Sequence, residues 1–173
     1  MKSTIKDITF TGIGIALFVA LSMCLRVPVF ENYYLCLGYI VMTVYCYSYR
    51  ISSGIIVGTL GTIIYCVLIG GLRGMPGWAI GNIVLGLIIG YIFRLTKKLK
   101  KPMIEIVICI IGIIIATAVS ILGVKSIVEC VLYAQPFLVR VITNMYAFIA
   151  DAFVICISIP ICRLLEPHVK RLV

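Results

Sequence analysis

Long apolar runs broken by short polar stretches dominate this chain. The run from 34 to 72 carries one charge, Arg50, and is nearly twice the ~20 residues that cross a bilayer, so we expect it to fold back there. The remaining runs each match a single crossing. The pattern predicts an all-α integral membrane bundle, a single domain of six transmembrane helices, at residues 8–25, 34–49, 51–70, 78–95, 103–123 and 137–163.

Small residues recur at helical spacing in several of these helices. In the first helix Gly12, Ala16 and Ala20 lie at i, i+4 and i+8, which makes a smooth stripe suited to close helix packing. Either another helix of the same chain or a second subunit could cover this stripe. In the third helix Gly54, Gly58 and Gly61 predict a similar packing face.

The segment 70–82 is the main interruption of the apolar pattern. It combines several glycines and a proline with Arg73, Asn82 and Trp78, the only tryptophan. Irregular backbone in a membrane protein leaves the lipid, is buried in protein or lines a wet cavity. The segment is therefore either a plain loop or one wall of a binding site. Arg73 is either solvent-exposed or a clamp for an anionic ligand, since guanidinium suits a carboxylate.

The last predicted helix is unusually polar for a membrane span. Arg140, Asn144 and Asp151 lie at i, i+4 and i+11, within about 40° of one line along the helix. Polar side chains in a span are costly and usually face inward. Asp151 either pairs with an arginine inside the bundle or contacts a ligand or proton. The sequence 125–136 before this helix is predicted to be the longest connection.

Composition supports the membrane assignment, and charge adds an orientation. The chain is 63% hydrophobic and only 12% charged, with a mean hydropathy of +1.23. The net charge of +9 would suggest nucleic acid in a soluble protein, but basic loops set topology in a membrane protein. With six crossings, eleven of the fifteen Lys and Arg residues fall on the side of the termini. Both termini are therefore expected in the cytoplasm, with segments 70–82 and 125–136 outside.

The sequence offers little for catalysis or metal binding. The eight cysteines are scattered, mostly in apolar runs, without a CxxC pair, and the only histidine, His168, lies in the tail. HExxH, GxSxG and Walker motifs are missing. We therefore expect no enzyme, metal or cofactor, and a transport role would need a partner to supply energy from ATP.

Several features together resemble one family. Six short helices with both ends inside, the Ala16-x-x-x-Ala20 pair, the outer segment 73–82 and the proline-containing run 159–163 resemble the substrate-binding S components of energy-coupling factor (ECF) transporters. The resemblance extends over nearly the whole chain.

The resemblance implies a function as well as a fold. S components are membrane proteins of prokaryotes that capture vitamins or related micronutrients at the outer face and work with a T component and two cytoplasmic ATPases. It implies that Ala16 and Ala20, with Gly12 on the same stripe, face the T component. It also implies a pocket of outer loops and helix ends, with the candidates Arg73, Trp78, Asn82, Arg140, Asn144 and, from its position in the last helix, Asp151.

The ligand and two other functions remain open at this stage. Two arginines and an aspartate among the candidates fit a small anionic or zwitterionic ligand such as pantothenate. One alternative is a structural membrane protein resembling the rod-shape-determining family, which would not need a polar pocket. The other is a small self-sufficient transporter that uses Asp151 as its ion site, although no internal repeat relates residues 1–95 to 96–173.

Overall fold

A computed structural model describes residues 5–24, 28–30, 33–99 and 102–172 as a helical bundle with one short β-hairpin. The helical fold class predicted from the apolar runs is confirmed. The elements are α1 (Ile5–Cys24), β1 (Pro28–Phe30), β2 (Tyr33–Tyr34), α2 (Gly38–Ser48), α3 (Ile51–Ile69), α4 (Met75–Thr96), α5 (Pro102–Thr117), a π-helix (Ala118–Lys125), α6 (Ser126–Tyr133) and α7 (Phe137–Leu172).

Five helical segments of the described residues are long and apolar enough to cross a membrane. They are Ile5–Cys24, Ile51–Ile69, Met75–Thr96, Met103–Tyr133 and Phe137–Val169. The second predicted helix, α2, has 11 residues, or about 16 Å, against a hydrocarbon thickness of about 30 Å. Ten of its residues are buried, and it packs against α1, α3, α4 and α7. This helix is therefore the centre of the bundle, where its length need not match the lipid.

Glycines let α3 approach its neighbours closely. A Cβ added at Gly54 would collide with Cys46, one at Gly58 with Met42, and one at Gly61 with the Phe18 ring. The predicted packing face of this helix is confirmed, and its partners are α1 and α2.

The first helix has two different faces. Gly14, Phe18 and Ser22 are buried, and a Cβ at Gly14 would lie 2.6 Å from Tyr45 Cζ. The stripe of Gly12, Ala16 and Ala20 points the other way and is exposed, with no described helix of the chain covering it. Of the candidate spans α1 is also the least enclosed, with 22% of its most apolar window buried.

Several predicted helix ends are wrong. The sequence 125–136, predicted as a connection, is mostly helical: α5, the π-helix and α6 run on continuously, and the turn is confined to 134–136. Lys125 and Glu129 lie in this helical segment, and both border a polar cavity inside the protein, where a helix can carry them. The turn opens with Ala134 in the left-handed conformation at φ 50°.

Two other helices are longer than predicted. The fourth begins at Met75 instead of 78, because Pro76 fits the first turn, where its missing N–H costs nothing. The last continues past 163 to Leu172, through Pro160 and Pro167. The strands β1 and β2 lie between α1 and α2 in the chain and pair antiparallel. Both strands contact α7.

The two ends of the bundle differ in their polar contacts. Ion pairs join helices at one end: Arg50 with Asp7 at 2.9 Å, Arg163 with Glu105 at 2.8 Å and Lys97 with Glu166 at 2.7 Å. The opposite end carries the 70–74 turn between α3 and α4 and the 134–136 turn between α6 and α7. We call this the cavity end.

Candidate functional site

A cavity of about 560 Å³ opens at the cavity end, between α3, α4, α6 and α7. Its volume lies within the ~300–1,000 Å³ that is usual for small-molecule sites. The wall is mixed: aromatic rings, cations, carboxylates and amides all reach it from different elements.

Five of the six residues predicted to bind a ligand border this cavity. Arg73 comes from the 70–74 turn, Trp78 from the first turn of α4, and Arg140, Asn144 and Asp151 from α7. The structure therefore places them around one space, although a direct role in ligand binding stays a prediction.

Asn82, the sixth predicted residue, lies behind the wall. It is 1% exposed, and its amide donates to Gly58 O at 3.1 Å and to Thr62 Oγ1 at 2.7 Å. Its Oδ1 accepts a hydrogen bond from Tyr39 Oη at 2.7 Å. All of these contacts are within the protein, so the geometry fits a residue that positions the wall.

The wall nearest Asn82 is aromatic. Trp78 Nε1 donates to Tyr39 Oη at 2.6 Å, which fixes the indole through the Tyr39–Asn82 bond. The Tyr65 ring meets the Trp78 ring edge-to-face, with centroids 5.8 Å apart and an interplanar angle of 88°. Both rings border the cavity. A planar ligand would find an indole whose polar N–H is already satisfied.

Close contact between α4 and the π-helix brings the opposite wall near. Gly77 and Gly81 face this segment, and a Cβ at Gly77 would lie 3.0 Å from Glu129 Cγ. Ser120 Oγ donates to the backbone oxygen of Gly81 at 2.5 Å, which joins the two elements inside the protein. Wide π-helical turns are frequent at functional sites. Here the turn ends at Lys125, a cavity residue.

One helix face borders the cavity with three residues that were not predicted to belong to the site: Lys125, Glu129 and Tyr133. They lie at i, i+4 and i+8 on the π-helix and α6, and all three border the cavity. They fall in the segment 125–136, which was predicted as a connection, and helical spacing has no meaning in a connection. Extending the helical period from 103–123 through Tyr133 would have placed them on one face.

Glu129 is the centre of the site's ionic network. It is 4% exposed and accepts a hydrogen bond from Asn144 Nδ2 at 3.0 Å. Arg140 Nη1 lies 3.7 Å away and Lys125 Nζ 4.0 Å away. Asn144 also donates to Ser126 Oγ at 3.0 Å. The carboxylate thus neutralises part of the positive charge and holds α6 against α7.

Two guanidinium groups meet one aromatic ring near the mouth. Arg73 Cζ lies 5.1 Å and Arg140 Cζ 5.5 Å from the centroid of the Tyr133 ring, within the ~6 Å range of cation–π attraction. Arg140 Nε is buried and has no hydrogen-bond partner among the described residues. The mouth therefore places two positively charged side chains beside an aromatic ring, where a ligand with acceptor oxygens can meet them.

Asp151 lies further into the cavity than Arg140, and it follows Arg140 by eleven residues on α7. Eleven residues of helix correspond to about 16 Å. Arg140 pairs with Glu129. An ion pair between Asp151 and an arginine, one of the two alternatives from the sequence, is not found among the described residues. Within the described residues Asp151 forms no ion pair or hydrogen bond, although it is only 5% exposed.

Comparison with known families adds an independent result. The family model described as "ECF-type riboflavin transporter, S component" matches residues 2–166. The chain is an S component of this ECF family. The resemblance inferred from the helix pattern is thereby confirmed, and it decides against the cell-shape and self-sufficient transporter readings. Neither curated proteins nor solved structures gave a match.

Membership in this S-component family gives the cavity a context. The chain is a membrane-embedded, substrate-binding subunit of a transporter, and S components are not themselves enzymes. A concave site lined by rings and charged groups is what such a subunit needs in order to hold a small polar molecule.

Proposed function

We propose that this chain captures riboflavin, or a vitamin of closely similar chemistry, in the cavity at the outer face of a prokaryotic plasma membrane. A T component and two ATPases then complete the importer and supply the energy. The observation that carries this proposal is the cavity itself, a 560 Å³ space with aromatic and charged walls in a chain of the riboflavin S-component family.

The chemistry of the walls supports a flavin. A flavin is a planar heteroaromatic system with ring carbonyls, an imide N–H and a hydroxylated chain. Trp78, Tyr65 and Tyr133 offer ring surfaces, while Arg73, Arg140 and Lys125 offer donors to oxygen acceptors.

An anionic vitamin such as pantothenate is the second candidate. The cavity holds three cationic side chains, Arg73, Lys125 and Arg140, against two carboxylates, Glu129 and Asp151. A small carboxylate would meet this excess of positive charge, and pantothenate therefore belongs in every binding experiment as a competitor.

Six crossings with both termini in the cytoplasm complete the proposed topology. The α2 helix and the hairpin before it together make the second crossing. The uneven distribution of Lys and Arg supports this orientation. In this arrangement the cavity opens outward, and the end with the three ion pairs faces the ATPases.

The exposed stripe of α1 is proposed as the surface for the T component. Gly12, Ala16 and Ala20 are uncovered by the described chain, whereas the opposite face of α1 packs on α2 and α3. Small residues let a partner helix approach closely where no hydrophobic force favours association.

Native mass spectrometry of protein purified in mild detergent from rich medium tests the proposed function. A bound molecule with the mass of riboflavin, at one per chain, is the expected result. A bound pantothenate would replace flavin as the substrate. Protein that carries no small molecule and cannot be loaded with either vitamin would contradict the proposed function.

A further inference from the structure

Asp151 differs from the other carboxylate in the cavity. Glu129 is engaged by Asn144 at 3.0 Å, Arg140 at 3.7 Å and Lys125 at 4.0 Å. Asp151 is equally buried, at 5% exposed, but forms no ion pair or hydrogen bond within the described part of the chain. A buried carboxylate without partners is costly, so its position calls for donors that a ligand or water supplies.

Lys125 borders the same cavity as Asp151. Its Nζ lies 4.0 Å from Glu129 Oε1, beyond ordinary hydrogen-bond length, and no closer acceptor is found among the described residues. The stem of Lys125 crosses the glycine surface of α4, with its Cγ 3.3 Å from the position of a Cβ on Gly77. Among the described residues, the Asp151 carboxylate therefore accepts no hydrogen bond, and Lys125 Nζ has no acceptor within ordinary hydrogen-bond length.

The position of Asp151 distinguishes it from the arginines. Asp151 lies eleven residues, or about 16 Å along α7, from Arg140 at the mouth. A ligand that reaches both places must carry hydrogen-bonding groups at two separate positions. At the deeper position the ligand must offer an N–H donor, because the Asp151 carboxylate accepts.

We propose that Asp151 recognises the imide (O=C–NH–C=O) edge of the ligand by accepting a hydrogen bond from the imide N–H. The proposal rests on the proposed function, since a flavin carries this O=C–NH–C=O group on its pyrimidine ring. Asp151 is then a specificity-determining residue that selects ligands with a free imide N–H.

Titration of purified protein with riboflavin and with 3-methylriboflavin tests the inference. Trp78 is the only tryptophan and borders the cavity, so quenching of its fluorescence reports both ligands. Methylation removes the imide N–H, and we expect it to weaken binding to the wild type by about tenfold or more, as for a hydrogen bond to a charged group.

Variants assign the effect to one residue. In Asp151→Ala the two ligands should bind with affinities within about threefold of each other, because the acceptor is gone. In Arg140→Ala both ligands should bind more weakly while the wild-type ratio is kept. If Asp151→Ala does not fold, Asp151→Val, which also lacks an acceptor, takes its place.

The outcomes separate this inference from the proposed function. Equal binding of the two ligands by the wild type, or an unchanged ratio in Asp151→Ala, would overturn the role of Asp151 and leave riboflavin as the substrate. Failure of the wild type to bind riboflavin at all would overturn the proposed substrate and the inference with it.

Discussion

The indole N–H of Trp78 donates a hydrogen bond to the hydroxyl of Tyr39 across 2.6 Å, and Tyr39 in turn donates to Asn82 at 2.7 Å. Three residues on α2 and α4 thereby form one chain of bonds behind the aromatic wall of the cavity. Tyr39 is completely buried, so this chain links the centre of the bundle to the site.

Tyr39→Phe should damage both stability and binding. The change leaves Trp78 Nε1 without its acceptor and Asn82 Oδ1 without its donor, at an expected cost of about 1–3 kcal/mol. Thermal unfolding and ligand titration of the purified variant measure the two effects. Tyr91→Phe is the matched control, because Tyr91 is 63% exposed on α4, the helix of Trp78 and Asn82. Equal behaviour of the two variants would show that the buried chain of bonds has no structural importance.

Arg140→Ala should weaken ligand binding by about tenfold or more, because the cation beside the Tyr133 ring is lost from the cavity wall. Calorimetric titration measures the change. Arg94→Ala serves as the control, since Arg94 is exposed on α4 far from the cavity-lining residues. Unchanged affinity in Arg140→Ala would remove the arginine from the binding site.

Glu129→Gln should destabilise the protein by about 2 kcal/mol. This cost is lower than that of breaking a fully buried ion pair, because the cavity admits water. The carboxylate is 4% exposed and faces both Arg140 and Lys125, so its loss leaves two cations close together. The control is Glu166→Gln, which breaks the more exposed pair with Lys97 and should cost less than about 1 kcal/mol. The unfolding temperatures of the two variants are compared. A lower unfolding temperature for Glu166→Gln than for Glu129→Gln would contradict the central position of Glu129.

Ala16→Trp should block assembly with the T component while ligand affinity stays that of the wild type. Ala16 is exposed on the stripe of α1 and is remote from the residues that line the cavity. A bulky ring there prevents close helix approach. Co-purification of the transporter subunits provides the measurement, with Ile111→Trp on the exposed face of α5 as control. Normal assembly of Ala16→Trp would move the interface elsewhere.

Part of the site was predictable because its residues contrast with their surroundings. Arg73 and Trp78 stand out in an apolar chain, and Arg140, Asn144 and Asp151 share a helix face whose period is visible in the sequence. All five border the cavity. The cost of burying such groups in a membrane protein makes their clustering informative.

The rest depended on tertiary contacts that the sequence does not show. Asn82 was predicted to meet the ligand, but its partner Tyr39 is 43 residues away and buries it behind the wall. Lys125 and Glu129 fall in the segment 125–136, which was predicted as a connection. Inside the folded protein Lys125 lies near Glu129, Glu129 pairs with Arg140 of α7, and the helix continues through both Lys125 and Glu129.

Calorimetric titration of the purified chain with riboflavin, with pantothenate as competitor, tests the central claim most directly. The account predicts saturable binding of one riboflavin per chain, unaffected by pantothenate and weakened by Arg140→Ala but not by Arg94→Ala. Absence of riboflavin binding, or binding that Arg140→Ala and Asp151→Ala both leave intact, would contradict the assignment of this cavity as the substrate site.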